Sequence, residues 1–277
     1  MKMTLGIDIG GTNLSLGLVQ DGAIVNAISA PSFPKEFTLE QTLDYLGGLI
    51  ERIITRDTNK IGIGVPSVVD VHKGIVYDTQ NIPSWKVVPL KEYLEGRFHV
   101  PVAVNNDANC YALGIYGLYP AEEKPELLVA VTLGTGVGMG IVVEGHLLNG
   151  ANCGAGELGT LAYRDSVIED YCGRHFFDAA GWDSRAASEA ARAGDPKALA
   201  LFDELGRNLG VLMSTVLFAY DPSHVAFGGG IANNYPLFRP SMEAYLKEHF
   251  PYQKALARLK TDIFTDNNIP VIGAALL

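Results

Sequence analysis

The chain has 277 residues, 48% of them apolar, with 31 acidic against 21 basic side chains and a formal charge of −10. That length exceeds one typical core and points to two lobes, while the acidic balance argues against a nucleic-acid binder, whose affinity comes from Lys and Arg releasing counterions. No window approaches the roughly 18 uninterrupted apolar residues of a membrane span, and no basic start with an apolar core and cleavage site opens the chain. Cys110, Cys153 and Cys172 contain no Cys-x-x-Cys pair and give neither a disulfide framework nor a zinc knuckle. The expectation is a cytoplasmic protein with reduced thiols and with no nucleic-acid or membrane partner.

The first element reads as a hairpin. Leu5 to Asp8 alternates, Gly10-Gly11-Thr12-Asn13 turns, and Leu14, Leu16 and Leu18 resume the alternation. Glycines there can simply supply the positive φ of a tight turn, but residues 127–143 repeat the pattern, two apolar strands around Gly134-Thr135-Gly136. Glycines flanking a threonine expose successive backbone amides, and such a nest fits phosphate oxygens. Two nests suit one polyphosphate. Asp8, ending the first strand, suits a Mg²⁺ riding on that polyphosphate, its other role being an Asx turn. Thr12 and Thr135 either donate hydroxyls to phosphate or cap their own turns.

Gly22 to Ser29 continues the β pattern until Pro31 and Pro34 break it. Thr38 and Gln41 have capping-box spacing and open a helix whose apolar face includes Leu43, Leu46, Leu49 and Ile50; Gly47-Gly48 weakens that helix or marks a close contact. A strand at Lys60–Val65, a loop region to Trp85 and a helix at Leu90–Arg97 lead to the strand Pro101–Val104, which ends at Asn105-Asn106-Asp107. Ala108 to Tyr116 reads as a helix. Ligands gather where strands end and helices begin in an α/β lobe, and Asp107 is there either a general base or a helix N-cap.

Residues 149–164 are glycine-rich and irregular, a loop able to shape a pocket. Ser166 and Glu169 have capping-box spacing and predict a helix starting at Ser166. An Ala-rich stretch covers Ser184–Ala193, and Asp195 as N-cap with Pro196 at the first position opens a long helix ending at Asp221-Pro222. His224–Phe227 is a strand running into Gly228-Gly229-Gly230, glycines that admit a flat ligand or serve packing. Pro236 opens the next helix, and Gly273–Leu277 closes a last one.

Asp8-Ile-Gly-Gly-Thr-Asn13, Asn106-Asp-Ala-Asn109, Leu133-Gly-Thr-Gly-Val-Gly138, Gly156-Glu-Leu-Gly159 and Gly228-Gly-Gly-Ile-Ala232 occur in the order and at about the spacing of the ROK-family sugar kinases. The chain resembles that family, glucokinase- and fructokinase-like members of the actin, hexokinase and Hsp70 ATPase superfamily. The resemblance implies an α/β, two-lobed actin-like ATPase (ribonuclease H-like) fold with an inter-lobe cleft. Its N-terminal lobe would span 1–110, completed by a C-terminal helix at 270–277, and its C-terminal lobe 111–269. It also implies a homodimer that phosphorylates a hexose at its primary hydroxyl, with ATP and Mg²⁺ as cofactors.

By the same resemblance Asp107 is the catalytic base, and Asn81, Asn106, Asp107, Glu157 and Glu169 hold sugar, although a capping box at Ser166 explains Glu169 without a ligand. Asp8, Gly10, Gly11, Thr12, Asn13, Gly134, Thr135, Gly136, Gly138, Gly228, Gly229 and Gly230 hold the nucleotide, Asp8 reaching Mg²⁺ through water. The chain departs from the family at Thr160, where many members carry a His that also touches the sugar, and Tyr171–Phe177 keeps one cysteine of a zinc loop. A His plus three Cys site cannot be assembled, so no zinc site is expected and the hexose stays open. The alternatives are a non-catalytic sugar sensor, or a kinase for an amino sugar such as N-acetylmannosamine or N-acetylglucosamine. Family regulators carry an N-terminal DNA-binding domain, whereas the phosphate hairpin here begins at Leu5.

Overall fold

The computed structural model describes residues 2–277. Strands β1 (Met3–Ile9), β2 (Asn13–Gln20) and β3 (Ala23–Pro31) form an antiparallel meander. Helix α1 (Leu39–Glu51) starts at Thr38, whose hydroxyl accepts from the Gln41 amide while the Gln41 side chain accepts from the Thr38 amide. After it come β4 (Thr58–Val65), the short strands β5 (Val68–Asp70), β6 (Ile75–Tyr77) and β7 (Val87–Val88), α2 (Leu90–Phe98), β8 (Val102–Asn106) and α3 (Asp107–Leu118). The main sheet has the order β3-β2-β1-β4-β8, with β4 parallel to both β1 and β8. Its parallel strands are covered on both faces: Ile61, Ile63, Val65, Val102 and Val104 are buried on one, and on the other a Cβ at Gly62 would meet Ala274 and one at Gly64 would meet Cys110.

Residues 68–88 are not the loop expected from sequence. β5, β6 and β7 make a three-stranded sheet, too short for a period-2 pattern to register. It is anchored by Trp85, fully buried with its indole N–H donating to the buried Thr42 hydroxyl at 2.7 Å. Gly47 marks a close contact, since a Cβ there would stand 2.2 Å from Arg97 Nη1.

The chain continues through β9 (Leu127–Leu133), β10 (Val137–Val143) and β11 (His146–Leu147), then the hairpin β12 (Ala162–Tyr163) and β13 (Ser166–Val167). Helices α4 (Ile168–Cys172), α5 (Arg174–Ala179), α6 (Ser184–Arg192) and α7 (Pro196–Tyr220) precede β14 (His224–Gly228), α8 (Tyr235–His249), α9 (Gln253–Leu256), β15 (Lys260–Ile263) and α10 (Ile269–Leu276). The second sheet has the order β11-β10-β9-β14-β15, with β14 parallel to β9 and β15. It repeats the plan of the first, a hairpin start followed by parallel strands. Asp195 caps α7 from Pro196 onward as its sequence requires.

Two units result, one of residues 1–124, 140–155 and 266–277, the other of 125–139 and 156–265. In the first, α10 lies backbone to backbone on β1, β4 and α3. A Cβ at Gly6 would meet the Val271 carbonyl oxygen at 2.0 Å, one at Gly62 the Ala274 oxygen at 1.8 Å, and one at Gly114 the Ile269 oxygen at 2.3 Å. In the second, α7 and α8 approach through Gly206 and Gly210, where a Cβ would strike Phe238 backbone and the Tyr245 ring. No helix among the described residues is long and apolar enough to cross a membrane.

These contacts separate glycines that packing requires from glycines that it does not. Gly62→Ala should destabilise by about 3 kcal/mol or more, because the obstacle is backbone rather than a movable side chain. Gly48→Ala, on α1 with nothing within 4 Å of the new Cβ, should stabilise by about 0.5–1 kcal/mol through helix propensity. Chemical denaturation of both variants checks the pair, and equal effects would refute the assignment.

Candidate active site

In the first unit the predicted site residues Asp8, Gly10, Gly11, Thr12, Asn13, Asn106 and Asp107 lie at the C-terminal ends of β1 and β8, both parallel to β4. β1 ends beside the Gly10–Thr12 turn, which is held by Gly10 N–H donating to the Asn13 carbonyl at 3.0 Å and by the Ser32 hydroxyl donating to the Gly10 carbonyl at 2.8 Å. Gly10 and Gly11 do not take positive φ, so the hairpin does not use them as left-handed residues. Gly10 is needed for closeness, its Cβ position lying 2.9 Å from the Asn13 oxygen. Gly11, Thr12 and Asn13 are exposed at the turn, and Asn81 Nδ2 lies 3.4 Å from the Gly11 Cβ position.

Asp8 is half-buried on β1, and burial pushes its pKa up to about 6 by disfavouring the charged form. β8 ends at Asn106, and Asp107 is the first residue of α3 rather than its N-cap. Asn106 is the cap: its Oδ1 accepts from the amides of Ala108 at 2.9 Å and Asn109 at 3.3 Å, while its Nδ2 donates to the Ser67 carbonyl at 3.4 Å. Asp107 is partly exposed, and its Oδ1 accepts from the Ala108 amide at 2.9 Å. Burial first, then the nearby charges of Asp8 and Asp107, raise the pKa of the Cys110 thiol.

In the second unit the Gly134–Gly136 turn is closed by Gly134 N–H donating to the Gly136 carbonyl at 3.0 Å, and the Arg174 amide at the start of α5 donates to the Gly134 carbonyl at 2.9 Å. Gly138 follows on β10, its carbonyl accepting from the Thr132 hydroxyl at 3.3 Å. Gly228 ends β14 and Gly229 takes φ +81°, where a Cβ would lie 2.4 Å from the Leu133 oxygen.

Gly134 and Gly230 line one cavity, a space of about 330 Å³ bounded also by Arg174, Arg185, Ser188, Arg192 and Asn234. Arg192 Nη2 donates to the Asn234 side-chain oxygen at 3.1 Å. Sequence reading missed these arginines, which lie on α5 and α6 in stretches read only as the remnant of a zinc loop and as Ala-rich helix.

Helix α4 does not begin at Ser166. Ser166 belongs to the β12–β13 hairpin, its hydroxyl donates to Asp170, and Val167 is the N-cap with no side-chain bond. The Glu169 carboxylate is therefore not a capping group. Its Oε2 accepts from the Val137 amide at 3.3 Å and crowds Gly136, whose Cβ position lies 2.5 Å away. Glu157 is open to solvent, and its pKa is raised by partial desolvation and then by the Glu169 carboxylate. Thr160 donates its hydroxyl to the Glu157 carbonyl at 2.7 Å.

The surrounding segment is held by packing. Buried Asn208 of α7 accepts from the Tyr163 hydroxyl and donates to the Tyr171 carbonyl, each at 3.1 Å, and Phe177 packs on Phe202 at 5.5 Å between rings. Cys172 is fully buried, and His175 bonds Asp170 at 3.0 Å.

A sequence profile of the ROK family matches residues 4–176 and 178–277. The chain belongs to the ROK family. A glucokinase from Thermotoga maritima is 30% identical over 260 residues, covering 82% of each chain. An N-acetyl-D-glucosamine kinase from Vibrio vulnificus is 28% identical over 261 residues, 83% of this chain and 85% of that one. Among solved structures, a ROK glucokinase from Streptomyces griseus in complex with glucose and AMPPNP superposes with TM-score 0.78 at 27% identity, over 99% of this chain and 98% of that one. The fold is the actin-like ATPase fold of ROK sugar kinases.

Because its folded pKa stands above its unfolded value, Glu157 of this ROK protein favours the fold most at low pH and loses that contribution as pH rises through the folded pKa. Glu169→Gln removes the like charge and should lower the Glu157 midpoint in a carbon-13 NMR titration. An unchanged midpoint would leave desolvation as its only cause.

Proposed function

We propose that this protein transfers the γ-phosphoryl group of ATP to a hexose, at its primary hydroxyl. The observation that carries the reading is Asp107, a partly exposed carboxylate at the first position of α3, where the parallel strand β8 ends, with no Lys or Arg beside it in the sequence. Asp107 takes the proton of the sugar hydroxyl as that oxygen bonds to the γ-phosphorus. The bond from γ-phosphorus to the bridging oxygen breaks, ADP leaves with the electron pair, and the proton passes from Asp107 to solvent.

Phosphoryl transfer needs little more than alignment and charge neutralisation. The exposed turns at Gly10-Gly11-Thr12-Asn13 and Gly134-Thr135-Gly136-Val137-Gly138 offer backbone amides to phosphate oxygens. The arginine-lined cavity beside Gly134 and Gly228-Gly229-Gly230 suits the remainder of the nucleotide, its guanidinium groups able to meet phosphate or stack on a base. Asp8 fits a Mg²⁺: a half-buried carboxylate whose raised pKa marks a negative charge that a bound cation would stabilise, through water as Mg²⁺ prefers. When bound, the ion neutralises charge on the β- and γ-phosphates.

Asn81, Asn106, Glu157 and Glu169 hold sugar hydroxyls in this reading. Asn106 does so only through its Nδ2 group, because its oxygen is committed to the α3 cap. An amino-sugar acceptor is the second reading, favoured by the N-acetyl-D-glucosamine kinase among the relatives, with Thr160 in place of the family's sugar-touching His leaving the sugar's identity open. A non-catalytic sensor finds less support, since Asp8, Asp107 and both turns are present.

Asp107→Asn should leave sugar and nucleotide binding intact by calorimetry and reduce turnover by about 10² or more, the scale of a lost general base; near wild-type turnover would make Asp107 structural. No zinc enters the reading, because Asn208 and the Phe177–Phe202 contact already tie the 157–177 segment. Chelation followed by Mg²⁺ repletion should leave melting temperature and activity unchanged. A stoichiometric zinc whose removal lowers the melting temperature would contradict it.

A further inference from the structure

The catalytic reading does not use Asn105, Asn149 or the side chain of Asn109, yet these three carboxamides form one network, buried at Asn105 and Asn109. Asn105 and Asn109 are 5% and 1% exposed. Asn105 Oδ1 accepts from the Asn106 amide at 2.8 Å, from Asn109 Nδ2 at 3.0 Å and from the Cys153 thiol at 3.3 Å. Its Nδ2 donates to Asn149 Oδ1 at 3.0 Å, and Asn109 Nδ2 reaches the same oxygen at 3.4 Å. Asn105 thus bonds the residue before Asp107 and the residue two after it, and ties both to the 149–155 loop.

We propose that Asn105, Asn109 and Asn149 are positioning residues for Asp107, so that the 149–155 loop sets the aim of the carboxylate. The inference rests on Asp107 being the base. Three features favour it over a merely structural tie. The acceptor capacity of Asn105 Oδ1 is filled from both sides of Asp107, so the backbone there cannot rotate without breaking a buried bond. All three groups are neutral, and a Lys or Arg in their place would depress the basicity that the reaction needs. Asn109 Oδ1 is left buried without a partner, a cost that an apolar side chain would avoid if packing were the only demand. The loop is itself constrained, with Cys153 at φ +57° and Gly150 at φ +69°.

The test uses Asn149, half-exposed on its loop and so the member least able to unfold the chain. Asn149→Ala should stay folded at the assay temperature and lower kcat by about tenfold to a hundredfold, the range of a misplaced catalytic group, with KM for ATP within about twofold. Asn149→Asp keeps the acceptor oxygen and should restore kcat. In an Asp107→Asn background, Asn149→Ala should have no further effect on the residual rate, because the group it aims is gone. Wild-type kcat in Asn149→Ala, failure of Asn149→Asp to rescue, or an equal loss in the Asp107→Asn background would each overturn the proposal. Should Asp107→Asn itself keep full turnover, the base assignment fails instead, a result read from that variant alone.

Discussion

The site in the first unit depends on one contact, the backbone of α10 pressed against β1, β4 and α3. Carbonyl oxygens of Val271, Ala274 and Ile269 occupy the space that side chains at Gly6, Gly62 and Gly114 would fill, and the Cys110 carbonyl does the same to Gly273. β1 carries Asp8 and α3 carries Asp107, so the last helix fixes the elements bearing both carboxylates. Interiors packed this closely transmit small shifts instead of absorbing them. A residue near the C-terminus is thus part of what holds the elements bearing Asp8 and Asp107 in place.

Each unit builds its glycine turn by the same local means and secures it differently. The Gly10–Thr12 turn is tied by the Asn13 carbonyl of β2 and by Ser32, the residue that follows β3. The Gly134–Gly136 turn is tied from outside its hairpin, by the Arg174 amide of α5 and by Glu169 on the Val137 amide. The second arrangement couples the turn to the segment bearing Glu157.

Much of this was legible because local rules and tertiary demands agree. The alternating hairpins, the Thr38–Gln41 capping box and the Asp195-Pro196 helix start each formed as their residues require. Where the expected element did not form, a competing contact won. Ser166 has the spacing of a cap, but strand pairing with Tyr163 and the Asp170 carboxylate claim it. Asn106 outcompetes Asp107 for the α3 cap because it reaches two amides. The β5–β7 sheet is too short to show periodicity, and its burial depends on Trp85 meeting Thr42 from 43 positions away. The arginine cavity and the Asn105 network join residues far apart in sequence, where no spacing rule applies.

The central claim, phosphoryl transfer from ATP to a hexose, is tested most directly by phosphorus-31 NMR of the intact protein with ATP, Mg²⁺ and each of a panel of hexoses and amino sugars. The account predicts that for at least one hexose the γ-phosphate resonance is replaced one for one by a phosphomonoester on the primary hydroxyl, with ADP appearing at the same rate. ATP resonances unchanged with every sugar, while calorimetry shows that a sugar binds, would contradict it and leave a sugar sensor in its place.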